Sequence, residues 1–157
     1  MKNPVFSFAL VFGLAEFVSS CTRTYKLTFD KNVPLDQTAT VNLIGCFVKE
    51  VNGVNIKKDL YGTDEKNITI STDEKIILNI PAGDTEITFD VFCYLRIVGS
   101  VIIIKNIAIQ YNFESGKEYQ IEGIAKWVDR DTTNIFLELK DITAKRKVTL
   151  LKEWKLR

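Results

Sequence analysis

The sequence predicts an all-β antiparallel sandwich behind an apolar N-terminal helix, and three observations carry that prediction. Downstream of residue 24 apolar side chains recur at every second position, as in Tyr25-Leu27-Phe29 and Ile135-Leu137-Leu139, the period of a half-buried strand. Turn signals such as Asn52-Gly53, Pro81-Ala82-Gly83 and Ser115-Gly116 break these runs at short intervals, which favours a sandwich over a helical or α/β architecture. No eleven-residue window after residue 21 places apolar residues at helical spacing. The chain has 157 residues, and removing the first 20 leaves 137, the size of one domain, which is read over residues 25–157 behind a short tether.

The first element differs in kind. Lys2 supplies a positive charge, Val5 to Leu14 form an almost unbroken apolar run, and Val18-Ser19-Ser20 lead into Cys21. The run is too short for the roughly 20 residues that span a bilayer, but it has the length of a secretory leader's apolar region. Val18, Ser19, Ser20 and Cys21 resemble the lipobox of bacterial lipoproteins: a branched side chain at −3, small ones at −2 and −1, then the cysteine. The resemblance implies that 1–20 is a signal helix removed by signal peptidase II. It also implies that the Cys21 thiol takes a diacylglyceryl group and that 21–24 is a short lipidated tether. Glu16, close to the end of the apolar run, and the single basic residue Lys2 depart from the usual pattern.

From there the strands follow in order. Tyr25 to Phe29 alternates cleanly, and Asp30 to Asp36 is a turn containing Pro34. Thr38 to Val51 reads as one strand region, with Gly45 as a bulge that can reset its alternation. Asn52-Gly53 predicts a type I′ hairpin, because both central residues must take positive φ, and Val54 to Lys57 is the returning strand. Lys58 to Lys66 reads as a polar loop, followed by short β segments at Asn67–Ser71 and Lys75–Ile80. Pro81 to Asp84 turns the chain into a long strand over Thr85–Arg96. Val101 to Ile104 is continuously apolar and predicts burial on both faces. Residues 106–128 read as a hairpin about Glu114–Lys117, and Ile135–Leu139 and Val148–Leu156 are the final strands.

The runs Asn52-Gly53, Ile80-Pro81-Ala82-Gly83, and Tyr111-Asn112-Phe113 through Gly116-Lys117-Glu118-Tyr119 resemble small lipoproteins of spirochaetes and related bacteria. They are also similar to PEGA-type and carboxypeptidase-regulatory-like sandwiches. That resemblance implies an Ig-like or transthyretin-like antiparallel β-sandwich over about residues 38–123.

Chemistry is constrained mostly by exclusion. There is no histidine, so His-based triads, general bases and metal sites are ruled out. No Ser-x-x-Lys motif occurs, and the reading is of a non-enzyme without a cofactor. A net charge of +1 gives no electrostatic footprint for nucleic acid. Asp129, Asp131 and Asp141 lack the dense spacing of a calcium loop and read as solvated turn charges. Cys93 falls on an apolar face and reads as a buried thiol; its pairing with Cys46 depends on the alternation at Gly45. Trp127 and Trp154 suit core or rim packing, or a half-wet interface. The basic C-terminal residues Lys145, Arg146, Lys147, Lys152, Lys155 and Arg157 suit a lysine-protected sheet edge, or contact with anionic headgroups or a partner. The functional expectation is a non-catalytic binding or adhesion module, exported and held on a bacterial membrane through Cys21, the outer membrane or cell surface favoured. Its partner is an envelope protein, a carbohydrate or a host protein, and the alternative is a structural accessory subunit of an envelope assembly.

Overall fold

A computed structural model describes residues 23–62, 72–95, 99–128, 132–144 and 148–156, with Trp127, Val148 and Leu156 described by their backbone alone. The signal helix, the lipobox residues and the Asn67–Ser71 segment lie outside the described residues, as do Asp129, Asp131, Lys145, Arg146, Lys147 and Arg157. Ten strands are described: β1 (Thr24–Thr28), β2 (Thr38–Ile44), β3 (Cys46–Val51), β4 (Val54–Asn55), β5 (Lys75–Pro81), β6 (Gly83–Leu95), β7 (Ser100–Phe113), β8 (Glu118–Trp127), β9 (Thr133–Asp141) and β10 (Val148–Leu156). A short helix, α1 (Lys57–Tyr61), opens the segment expected to be a polar loop.

The strands form two sheets packed face to face. One has six strands in the order β1-β5-β2-β8-β9-β10; the other has four in the order β4-β3-β6-β7. The all-β sandwich expected from the alternation is what forms. Most neighbours are antiparallel, but β1 with β5 and β2 with β8 run parallel. β1 begins one residue earlier than the alternation suggested: Thr24 pairs with Lys75, and the Lys75 amide donates to the Arg23 carbonyl at 3.2 Å.

One core joins the inward residues of both sheets, including Val41, Leu43, Leu78, Ile121 and Leu137 from the first and Val48, Ile87, Phe89, Val91 and Phe113 from the second. At roughly 1.5–3 kcal/mol for each fully buried large apolar side chain, this burial is the main stabilising term. Asn52 and Gly53 take φ of 50° and 74°, and Val51 pairs with Val54, so the type I′ hairpin forms as its sequence requires. α1 covers the flank beside β1 and β3. Its Tyr61 ring stacks on Phe47 at 4.7 Å and meets Tyr25 edge-on at 5.1 Å.

Three expected turns or continuous strands are instead corners where the chain changes sheet. Thr38–Val51 divides at Gly45, with β2 in the larger sheet and β3 in the smaller. The Pro81–Asp84 segment carries β5 directly into β6 on the opposite sheet. Residues 106–128 are not a hairpin: β7 pairs with β6, whereas β8 pairs with β2 and β9. The alternation of Ile107-Ile109-Phe113 and Tyr119-Ile121 is the same in either arrangement, because both faces point into one interior from opposite sheets. The long hairpin is β6–β7.

The expectation that Val101–Ile104 is covered on both faces also fails. β7 is an edge strand, and Val101 and Ile103 are about half exposed at 50% and 48%. The four-stranded sheet packs through one face only, and a bulge decides which side chains of β7 stand on the outer one. Phe89 pairs with Ile107 but Val91 pairs with Ile104, so β7 carries one extra residue, and Asn106 stands at φ 55°. Ile107 and Ile109 point inward beyond it, while Val101 and Ile103, on the same odd parity, point out. β3 is bulged at the same level between Val48 and Glu50. Asp90, largely buried between the two bulges, holds both: Oδ1 accepts from the Asn106 amide at 2.8 Å and pairs with Lys49 Nζ at 2.7 Å.

Candidate functional site: the proximal end of the sandwich

The end at which the chain enters β1, here the proximal end, is fixed by a run of backbone hydrogen bonds across both sheets. Lys75 bonds Arg23, the Gly45 amide donates to the Glu74 carbonyl at 2.9 Å, and the Phe92 amide donates to the Gly45 carbonyl at 2.8 Å. Gly45 has φ +60° and lies so close to its neighbours that a Cβ would stand 2.8 Å from the Thr72 carbonyl oxygen and 3.0 Å from that of Phe92. Only glycine meets both demands at this corner.

Two hairpins run past this level. β6 continues from Phe92 to Leu95 and returns as β7. β8 continues from Glu122, which pairs with Ile44, to Trp127 before returning as β9. Between them lies an open cleft of about 620 Å³ lined by Ile44, Thr72, Asp73, Phe92, Tyr94 and residues 122–125. At its floor the two sheets pack tightly: a Cβ on Gly123 would fall 2.3 Å from Val91 Cγ1 and 2.7 Å from Cys93 Sγ.

Below the floor are two thiols. Cys46 and Cys93 are both buried and unpaired with each other. The corner at Gly45 resets the alternation, which turns Cys46 inward onto the same interior as Cys93. Burial pushes the Cys93 thiol up to about 11, and burial followed by the nearby Cys93 raises Cys46 as well. Both therefore stay protonated at neutral pH and lack the thiolate that a nucleophile or metal ligand needs. At the rim, Glu122 is engaged by Lys140 and accepts from Gln120 Nε2 at 2.8 Å. The cleft is thus lined by more polar than apolar surface, with Asp73 and Glu122 among its walls.

The remaining sequence candidates are dispersed. Asp141 sits at the opposite, distal end, where Oδ2 is 3.5 Å from Lys117 Nζ and Oδ1 accepts from the Ala144 amide. Among the described residues no cluster of three acidic or cysteine side chains is arranged to hold a metal ion. Trp154 is half-buried against the core, and β10 is an edge strand with Lys152, Glu153 and Lys155 exposed, the lysine-protected edge its composition suggested. Cys21 and the Val18-Ser19-Ser20 triplet lie outside the described residues, two positions before the first of them.

Sequence reasoning missed the exposed apolar group on the β6–β7 hairpin: Tyr94, half exposed at 50%, pairs with Val101, and Ile103 lies two residues along on the same face. The unbroken run Val101–Ile104 was its signal, but the side on which it opens is set by Asn106. Among the described residues no helix is long and apolar enough to cross a membrane. No protein family, curated protein or solved structure is significantly similar to the chain.

Proposed function

We propose that the chain is a lipid-anchored protein of a bacterial cell envelope whose sandwich is a non-catalytic binding or adhesion module. The observation that carries this reading is the leader. An apolar run over Val5–Leu14 closes on Val18-Ser19-Ser20-Cys21, two residues ahead of Arg23, where the sandwich takes up the chain. A diacylated cysteine there holds the protein on the outer membrane or cell surface, since two chains anchor where one binds only reversibly. The likeness of the Ile80–Gly83 and Gly116–Tyr119 runs to spirochaete lipoproteins points the same way.

Metabolic labelling with a palmitate analogue tests the anchor. Wild type takes up label and Cys21→Ala does not. An unmodified polypeptide beginning at Met1 and recovered from the cytosol overturns the reading.

A second reading, a structural accessory subunit of an envelope assembly, is favoured by β7. This strand spans 14 residues, pairs among the described residues with β6 alone, and presents an edge to which another strand can add, where the Ala108 carbonyl accepts from Lys152 Nζ at 3.4 Å. Pull-down from detergent extracts of whole cells separates the two: a lone monomer sinks the second reading, and a stable co-purifying envelope protein favours it.

A further inference from the structure

The distal end carries a groove of its own, on the outer face of the larger sheet. One row of side chains crosses three strands there, because Thr40 pairs with Asn79 on β5 and with Glu118 on β8. Their neighbours Val41, Leu78 and Tyr119 are buried in the core, so alternation turns this row outward. The backbone fixes its level: the Thr40 amide donates to the Lys117 carbonyl at 2.9 Å, and that of Gly116 to the Thr38 carbonyl at 2.8 Å. With Leu35, Lys117 and Thr143 the row lines a groove of about 460 Å³, a size that suits a small molecule. It stands away from the end at which the chain enters β1, since six steps of β5 separate the Lys75 level from Pro81, about 20 Å.

The carboxylate of Glu118 is held from the neighbouring row. Asn42, 1% exposed, donates Nδ2 to Glu118 Oε1 at 2.6 Å and to the Tyr119 carbonyl at 3.2 Å. Asn42 Oδ1 is buried without a partner among the described residues, so this amide is oriented by what it gives to Glu118 and Tyr119. Thr40 donates Oγ1 to Asn79 Oδ1 at 3.1 Å, which leaves the N–H groups of Asn79 Nδ2 for the groove. Thr143 Oγ1 accepts from the Glu118 amide at 2.7 Å and keeps its own O–H to donate. A fixed acceptor thus stands beside two donors, with Leu35, 71% exposed, as an apolar lip.

Ligand groups that satisfy such a set must both donate and accept, as a hydroxyl does and as neither an anion nor an ammonium does. Lys117 is engaged by Glu114 and Asp141, so no cation is left over to draw an anion in. A sugar ring offers adjacent hydroxyls together with an apolar C–H face. We propose that the distal groove is a saccharide site, in which Glu118 accepts from one ring hydroxyl while Asn79 and Thr143 donate to its neighbours over Leu35. This rests on the binding-module reading and gives it a ligand class and a place. The proximal cleft lacks the pattern, because its Glu122 is already engaged by Lys140 and Gln120.

The test is an NMR titration of the full, isotope-labelled chain in lauryldimethylamine oxide micelles, using the methyl glycosides of glucose, galactose, mannose and N-acetylglucosamine. At least one glycoside is expected to shift the Asn79 side-chain amide and the backbone resonances of Gly116 and Thr143, and to leave Gly123 at the proximal cleft unmoved. Glu118→Gln keeps an acceptor for Asn42 and should weaken that glycoside about tenfold, the loss of one charge-assisted hydrogen bond. Leu35→Ala, at an exposed position, should weaken it about threefold. The proposal is overturned when no glycoside moves these resonances at tens of millimolar, or when neither variant weakens binding. A trilysine peptide that moves them where no glycoside does also overturns it, and gives the groove to a cation. The mass of Cys21 is read from the same samples. An unlipidated Cys21 with the resonances still shifting removes the anchor and keeps the sugar site, and a lipidated Cys21 with none shifting does the reverse.

Discussion

The two ends of this sandwich are built on different principles. The distal end is tied together by polar contacts. Gly116 donates to the Thr38 carbonyl at 2.8 Å, Ala82 to that of Gln37 at 3.0 Å, and the Glu118 amide to Thr143 Oγ1 at 2.7 Å. Lys117 bridges Glu114 at 2.7 Å and Asp141 at 3.5 Å. An aromatic cluster closes the interior behind them, with the Phe113 and Tyr119 rings 5.2 Å apart. The proximal end is held by backbone hydrogen bonds through Gly45 and by close packing at Gly45 and Gly123, and beyond that level it continues into two hairpins on which Tyr94, Val101 and Val128 are exposed.

The contrast can be broken at several points. The largest effect is expected from Gly45→Ala, where a left-handed residue gains a Cβ against two backbone oxygens that cannot swing away. Urea unfolding should show a loss of about 3 kcal/mol. Gly123→Ala drives a methyl into Val91 and Cys93, and a loss of about 2 kcal/mol is expected because side chains yield more than backbone does. If either variant unfolds like wild type, the proximal end is not tightly built.

Alkaline pH probes the thiols beneath the cleft. Cys93 rises from 9.0 in the unfolded chain to about 11 in the fold, so between those values the unfolded state has given up a proton that the folded state keeps. Stability is full below pH 9 and falls through the window to 11 by about 1.4 kcal/mol per pH unit for each such thiol. A flat profile of the unfolding midpoint across that window would show the thiols to be solvated. At the distal end, Thr143→Ala removes the acceptor of one exposed hydrogen bond and should cost about 1 kcal/mol or less. Ile103→Lys sharpens the comparison most with the smallest change in stability, within about 0.5 kcal/mol.

Much of the architecture is legible in the sequence because alternation records which residues are inward. The core positions of β5, β6 and β9, and the Asn52-Gly53 hairpin, follow directly. Alternation does not record which sheet a strand belongs to. Gly45, Pro81–Gly83 and Glu114–Lys117 look like bulges and turns, and each instead moves the chain between layers. The parallel pairing of β1 with β5 is equally silent, since it joins segments 51 residues apart with no local signal. At the proximal end, the run Val101–Ile104 and the small residue Gly123 are visible in the text of the chain. What brings Gly123 to one cleft with Phe92 and Tyr94 is pairing at long range: β6 with β3, and β8 with β2.

The αL turn at Asn106 has a consequence for how this surface can change. It acts as a phase shift, inverting the inside–outside rhythm for everything between it and Gly99. Deleting one residue at 105–106 would remove the extra residue and restore a uniform rhythm with Ile102 and Ile104 still inward beside Ile107; pairing the full-length strand without the bulge would instead swing Val101 and Ile103 inward and send Ile102 and Ile104 out. The greasy character of the outer face would survive either change, because all four side chains are branched aliphatics. Its link to the carboxylate of Asp90 would not survive, and with that clamp lost the strand would be free to slide along β6.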